Sequence, residues 1–370
     1  MVSRRGLLRG SGLALAADGA RRANAAPSSI PRLAKVQVAP DRVIRMTAGL
    51  RPFRPSGFVV RAEKLDDKLV IHNYGHGGAG ITLSWGTGLL AMREIANFEA
   101  RDCAVIGCGV VGLTMARLLQ QRGYSPTIYA REVPPSVTSN LAGGLWDPTS
   151  LFDQERMTPE FRAQFAESAR LAFERYQPLT GDSYGVRWLP LYNLARNAAD
   201  VFDPAPESAY SDIEPLYPEG RKLTAREHPF GVPFVHRKYS MLIEPAIYLN
   251  ALMRDYQLAG GKIVVREMHS LHEIAGLPES LLFNCTGLGA RTLCNDSELM
   301  PIKGQLVFLL PQPEIDYMTL GPNGIYMFPR HDGILLGGSY QRGIENTDID
   351  PEVSQRILQD NGQLFGQMRG

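Results

Sequence analysis

The residues of this 370-residue chain that carry recognisable chemistry are mostly glycines. Gly107-Cys108-Gly109-Val110-Val111-Gly112 has the G-x-G-x-x-G spacing, and Glu132 stands 25 positions beyond Gly107. In such a loop the first glycine allows a tight turn, the second lets backbone approach a pyrophosphate, and the third lets helix pack on strand. A helix N-terminus then faces the anion, and Glu132, beside Arg131, accepts hydrogen bonds from ribose hydroxyls. Alone, this loop leaves NAD and FAD open. A second glycine-dense turn, His72-Asn73-Tyr74-Gly75-His76-Gly77-Gly78-Ala79-Gly80, follows the apolar Val70-Ile71 and precedes another helical stretch. Two glycine loops opening helices imply two ligand regions. A reduced flavin gathers negative charge along its pyrimidine edge, which a helix N-terminus stabilises. An extended FAD touching both loops uses what a nicotinamide leaves idle, so an NAD-dependent dehydrogenase ranks behind a flavoprotein.

Other chemistries find little footing. His72 and His76 read as packing and capping residues, with no metal-ligand spacing around them. Cys103, Cys108, Cys285 and Cys294 show no C-x-x-C pattern and read as small buried hydrophobes. No Ser/His/Asp or paired-carboxylate motif is present.

The elements that must position the loops follow from periodicity. Cys103-Ala104-Val105-Ile106 reads as a buried strand. Val111, Met115, Leu118 and Leu119 recur at helical spacing up to Arg122-Gly123, and Thr127-Ile128-Tyr129-Ala130 resumes as a strand, completing a βαβ unit. A helix is expected from about Thr82 to Phe98. Another starts at Thr158-Pro159-Glu160, with Phe161, Phe165, Ala169, Ala172 and Tyr176 on its apolar face, and a further one at Glu244-Pro245, stopping at Gly260-Gly261 before Ile263-Val264-Val265. Leu281-Leu282-Phe283-Asn284 is a buried strand ahead of Cys285-Thr286-Gly287. Between Pro301 and Gly338 the pattern is strand-like, at Gln305–Phe308, Ile325–Phe328 and Ile334–Leu336.

Composition narrows the class. Hydrophobic residues make up 44% and charged residues 21%, with mean hydropathy −0.15, which excludes a wholly disordered chain and a multi-span membrane protein. A net charge of +1 argues against a nucleic-acid partner held by phosphate neutralisation. Ser3-Arg4-Arg5-Gly6-Leu7-Leu8-Arg9, the apolar Leu13–Ala17 and the small Ala23-Asn24-Ala25 resemble a twin-arginine export signal over residues 1–25, with a mature start near Ala26. Asp18, Arg21 and Arg22 interrupt it, and a leader without export function would leave the protein cytoplasmic. No other stretch approaches a membrane span of ~18 apolar residues, so the exported protein is expected to be free of a membrane anchor. The twin-arginine machinery, which carries folded cargo, suits a chain that loads its cofactor first.

Val70 to Gly86 resembles the signature of the D-amino acid oxidase family, departing at its end, where Gly88 replaces an alanine. The likeness extends to Gly49-Leu50-Arg51-Pro52-Phe53-Arg54-Pro55, Ala142-Gly143-Gly144-Leu145-Trp146, Asn284-Cys285-Thr286-Gly287 and Tyr326-Met327-Phe328-Pro329. The motif order differs: in the family the G-x-G-x-x-G loop opens the chain and the other two lie near its end. The chain therefore looks circularly permuted, with the old terminal helix spliced to the first strand through Glu99-Ala100-Arg101 and with Asp41 and Gly370 expected near each other. The resemblance implies an α/β fold, a Rossmann-like FAD domain (residues 51–147 plus 235–296) interleaved with an α+β substrate domain on a mixed or antiparallel sheet (34–50, 148–234 and 297–370).

For the site, the resemblance implies that Arg51 clamps a substrate α-carboxylate, that Tyr326 hydrogen-bonds it, that Tyr340 matches a second site tyrosine, and that Gly78 offers its carbonyl to the amine. FAD contacts implied are Gly107, Cys108, Gly109, Val110, Val111, Gly112, Arg131 and Glu132, then Thr138 and Ser139 by the pyrophosphate. Gly143, Gly144 and Leu145 would meet the isoalloxazine, Gly77, Gly80, Ile81 and Thr82 its pyrimidine edge, Met268 the adenine, with Thr286 and Gly287 nearby. The implied reaction is hydride transfer from a D-amino acid to flavin, with dioxygen as acceptor and a 2-oxo acid, ammonia and hydrogen peroxide as products. Asp147 near the substrate side chain would disfavour acidic substrates, Arg330 is a candidate partner for a second carboxylate, and neutral or basic D-amino acids are expected. The alternatives are a D-aspartate, glycine or secondary-amine oxidase, and an exported flavin-binding protein without catalysis.

Overall fold

The computed structural model describes residues 32–96, 98–198 and 207–369; the leader, its cleavage point and Gly370 lie outside these. Two sheets organise the chain. The first has the order β2 (Val59–Leu65), β3 (Lys68–Tyr74), β10 (Leu281–Asn284), β4 (Asp102–Ile106), β5 (Ser125–Ala130), β9 (Lys262–Val265). All its pairings are parallel except β2 with β3. Its inner strands are continuous apolar runs because helices cover both faces: Val105, Ile128 and Phe283 are fully buried. The expected βαβ unit is β4, α2 (Val110–Gln121) and β5.

The second sheet has the order β1 (Val43–Phe53), β11 (Met300–Leu309), β14 (Gly333–Gly337), β13 (Tyr326–Arg330), β12 (Met318–Leu320), β6 (Val186–Ala195), β8 (Phe234–Ile243), β7 (Arg221–Leu223), and β15 (Gln341–Arg342) also pairs with β11. It is antiparallel apart from β12 with β6. One face packs Val307, Leu309 and Leu336 on Ile357, Leu364 and Phe365 of α7 (Pro351–Gly366). The other face carries Leu306, Phe308, Phe328 and Leu335 toward the first sheet's domain.

The remaining helices are α1 (Gly80–Arg93), α3 (Pro159–Tyr176), α4 (Pro245–Leu258), α5 (Leu271–Ala275) and α6 (Ala290–Leu293). Thr158 caps α3 as expected, accepting from the Phe161 amide at 3.2 Å. The helix expected over 82–98 occupies Gly80–Arg93 instead. Beyond it the amides of Glu94, Ala96 and Phe98 each bond three residues back, and these tight turns swing the chain toward β4. Ile95 is still buried, which is why the apolar pattern runs past the helix end. Two expected boundaries also cut across strands. Residues 51–53 belong to β1 and 235–243 to β8, both in the second sheet, so the segments of the two units meet at other points than 51 and 235.

Candidate functional site

The carboxyl ends of β3, β4, β5 and β10 converge on a cavity of about 820 Å³, within the size range of cofactor sites. It lies where the order of the parallel strands reverses, between β4 and β10, the place such sheets bind ligands. Two glycine loops form its rim and meet: a Cβ on Gly80 would lie 3.8 Å from Val110 Cγ1. Gly107 adopts φ +109°, and a Cβ there would lie 2.5 Å from the Cys285 carbonyl oxygen, so this turn demands glycine. Neither α1 nor α2 has a side-chain cap from its N-cap residue. Both turn the positive ends of their dipoles to the same space. The Val110 amide donates to Ser139 Oγ at 3.0 Å, and the Ile81 carbonyl is held by the Tyr176 hydroxyl at 2.6 Å, fixing both first turns.

The other wall is the second sheet. Arg51 on β1 lies flat over Gly304 of the paired strand β11, where a Cβ would come 2.5 Å from Arg51 Nη2. Tyr326 on β13 lies over Gly337 of β14, whose Cβ would come 2.0 Å from the ring. Glycine on the adjoining strand thus makes room for each side chain. Arg51 and Tyr326 are in contact, and Arg51 Nη1 is buried without a hydrogen-bond partner. Burial pushes the Tyr326 hydroxyl above its ordinary pKa, opposed by Arg51, so it stays protonated. Gly78 faces the arginine, its Cβ position 3.5 Å from Arg51 Cδ, and that of Gly143 lies 3.8 Å from the Tyr326 ring.

Arg51, Tyr326 and Gly78 thus come together, and the cavity wall also includes Gly77, Gly80, Ile81, Gly107, Cys108, Gly109, Val110, Val111, Arg131, Glu132, Thr138, Ser139, Gly143, Met268, Thr286 and Gly287. Five of the expected substrate or FAD contacts do not line it. Tyr340 is 46% exposed, beside the Arg342–Asp153 ion pair, in the short connection between β14 and β15. Gly112 packs instead, its Cβ position only 2.0 Å from the Gly107 carbonyl oxygen. Gly144 and Leu145 run against β8: Ile243 donates to the Gly144 carbonyl at 2.7 Å, and Leu145 bridges to Leu242. The Thr82 hydroxyl accepts from the Asp147 amide at 3.3 Å behind the wall.

Of the two residues expected to set specificity, one changes role. Arg330 is 5% exposed and already committed, to Asp332 at 2.8 Å and to the Ala142 carbonyl at 3.0 Å, so it is not free for a second carboxylate. Asp147 lines a separate, smaller cavity. The histidines pack as expected, but neither caps a helix with its side chain. His76 Nε2 lies 3.0 Å from Thr87 Oγ1, and His72 sits between Glu63 at 3.1 Å and Asn284 at 3.1 Å. Among the described cysteines none forms a disulfide.

Sequence reasoning assigned no role to Asn73, which lines the large cavity fully buried with neither amide atom bonded. It lies within the quoted motif, yet nothing in its type distinguishes it. Gly304 carries a readable signal, a glycine in mid-strand marking close approach.

The fit to FAD rests on these features: a turn at Gly107 where a side chain is forbidden, two helix N-termini turned to one cavity, an orphaned buried amide at Asn73, and Glu132 in the same wall. Residues 102–369 match the family described as DAO, FAD dependent oxidoreductase. A D-amino-acid oxidase from Rubrobacter xylanophilus is 32% identical over 271 residues, covering 72% of this chain and 78% of the relative. One from Streptomyces coelicolor is 29% identical over 285 residues, covering 75% and 82%. Among solved structures, a glycine oxidase from Geobacillus kaustophilus superposes with a TM-score of 0.56 at 18% identity, over 72% of this chain and 80% of that one, a likeness of fold. A cavity shaped for a dinucleotide and a sequence match over most of the described residues agree: the chain belongs to the DAO family of FAD-dependent oxidoreductases.

Proposed function

We propose that the protein oxidises D-amino acids to imino acids, which water hydrolyses to 2-oxo acids and ammonia while dioxygen is reduced to hydrogen peroxide. The observation that carries this reading is Arg51, a half-buried residue whose Nη1 is buried and unpartnered, set between Tyr326 and the glycine loop of α1 at the cavity wall. A guanidinium nitrogen left without a partner at a cavity wall calls for an anion, and the planar guanidinium takes a carboxylate through two parallel hydrogen bonds. The protonated Tyr326 adds a third donor. The names of the two D-amino-acid oxidases support the same substrate class.

When bound, FAD supplies the acceptor for the two electrons leaving the substrate and returns them to dioxygen. Gly77, Gly80 and Ile81 would hold its electron-rich edge, and Gly107 to Val110 with Ser139 its pyrophosphate. The chain's own residues orient. With the carboxylate on Arg51 and the amine at Gly78, one configuration alone turns its Cα hydrogen toward the cofactor side of the cavity. A substrate whose amine arrives neutral needs no side-chain base, so positioning supplies most of the acceleration. The engagement of Arg330 with Asp332 speaks against dicarboxylates.

A visible spectrum of the purified yellow protein, taken before and after anaerobic D-alanine, tests this. Bleaching by D-alanine but not L-alanine, with peroxide formed on admitting air, is expected. Bleaching only by glycine or sarcosine would assign a glycine or secondary-amine oxidase, and no bleaching by any amino acid would leave a flavin-binding protein.

A further inference from the structure

The smaller cavity, about 180 Å³, is lined by Asp147, Thr149, Asn193, Lys238 and Leu320 among others. It lies on the same face of the second sheet as Arg51 and Tyr326. Register fixes this: Tyr326 pairs with Leu320, and Leu320 with Asn193, while Lys238 pairs with Leu191, two residues before Asn193. Paired residues share a face, so the floor runs from Tyr326 through Leu320 to Asn193, about 10 Å for two strand spacings. The roof is shared as well. A Cβ on Gly78, in the wall of the large cavity, would lie 2.7 Å from the carbonyl oxygen of Thr149, in the wall of the small one. The walls of the two cavities thus touch at Gly78–Thr149 above and at Tyr326–Leu320 below.

The chemistry inside is specific. Asn193 is 4% exposed, and both its Nδ2 and Oδ1 lack partners. Leaving a buried donor and acceptor unmet is costly, so an occupant offering the complementary pair is favoured. The charged groups around it are already engaged. Lys238 pairs with Glu214 at 3.1 Å and lies 3.4 Å above the Tyr217 ring, and the Tyr217 hydroxyl donates to Asp147 Oδ1 at 2.7 Å. Lys238 is taken by Glu214, and the burial that raises the pKa of Asp147 disfavours negative charge in this space, so an anionic occupant is resisted on the same ground.

Resting on the function proposed above, we infer that this compartment receives the end of the substrate's side chain and that Asn193 selects an uncharged carboxamide there, making D-glutamine the preferred type of substrate. A primary amide closes two hydrogen bonds with Asn193, its N–H to Oδ1 and its carbonyl to Nδ2–H. An apolar side chain of equal length leaves both unmet, and a carboxylate can satisfy only Nδ2.

Steady-state oxidation of D-glutamine, D-glutamate, D-methionine and D-alanine by the flavin-loaded protein tests this. D-Glutamine is expected to exceed D-glutamate and D-methionine in kcat/KM by at least tenfold. In Asn193→Leu, which removes an unmet buried amide, the D-glutamine to D-methionine ratio is expected to fall at least tenfold. The wild-type comparison stands even if the variant does not fold. Oxidation of D-alanine or D-methionine with no preference for D-glutamine, preference for D-glutamate, or a ratio untouched by Asn193→Leu would overturn the side-chain assignment and leave the function intact. Failure to oxidise any of the four would overturn the function itself, and the assignment with it.

Discussion

His76 shows how the site's burial governs single residues. Its ring is stacked on Phe58, and Thr87 Oγ1, which donates to the Leu83 carbonyl at 3.3 Å, is left to accept from Nε2–H of the neutral ring. Burial pushes its pKa down to about 3 from an ordinary 6.5. The unfolded chain therefore binds a proton below about pH 6.5 that the folded chain refuses until about pH 3. The stability associated with the neutral ring is complete above the first value and is lost as pH falls between them, by about 2–3 kcal/mol at pH 4.5. His76→Gln keeps an N–H for Thr87 and cannot titrate. Its fall in Tm from pH 7 to pH 4.5 is expected to be several degrees smaller than that of the parent chain. Equal falls in both would show that His76 does not set the acid limit. The motif around His76 was readable from residue types, whereas the isolation of Asn73 and the exposure of Tyr340 depend on distant chain and were not.

At the scale of elements, glycine decides how closely strands and helices carry the reacting groups. Gly304 and Gly337 clear the sheet face beneath Arg51 and Tyr326, and Gly86 lets α1 approach α3 so closely that a Cβ would fall 1.8 Å from the Ser168 carbonyl oxygen. The two kinds of clearance differ in consequence. At Gly86 the obstacle is backbone, so Gly86→Ala must separate the helices. At Gly304 it is the mobile end of Arg51, so Gly304→Ala is expected to keep the flavin spectrum and Tm while raising KM for D-alanine at least tenfold through a displaced guanidinium. Steady-state kinetics beside a thermal melt would check this; an unchanged KM would mean that Arg51 does not hold the substrate in the observed pose. The strands and helices themselves were legible, since β4, β10, α2 and α3 follow period and caps. Residues 94–98 were not, because Ile95 serves the core as well from a turn as from a helix. Nor were the sheet memberships of Arg51 and of residues 235–243, because pairing partners such as Ile302 and Arg187 lie far along the chain.

For the molecule as a whole, the net charge of +1 supplies no steering field, so selectivity falls to placed groups such as Arg51 and Asn193. The order of the chain is the remaining question. We propose that it is a circular permutation of the family's order. The family match begins at Asp102, the first residue of β4, while β1, β3 and α1 precede it and yet complete both sheets through β1–β11 and β3–β10. The segments at the two ends of the described chain also meet. Lys35 Nζ donates to the Gly366 carbonyl at 3.0 Å, and the Tyr317 hydroxyl touches both the Ala34 carbonyl at 2.8 Å and Met368 Sδ at 3.8 Å. A linker of about four residues, spanning ~13 Å, can close such a gap. A rearranged chain running from Arg101 to Arg369, through a Gly/Ser linker, then from Leu33 to Phe98, is expected to fold, bind FAD and keep kcat/KM for D-alanine within about threefold. The control opens the same linked chain inside β11, whose strand pairs on both sides, and is expected to be flavin-free. If the rearranged chain is flavin-free as well, the junction at residues 99–101 is part of what specifies the fold, and the permuted order is not interchangeable with the family's.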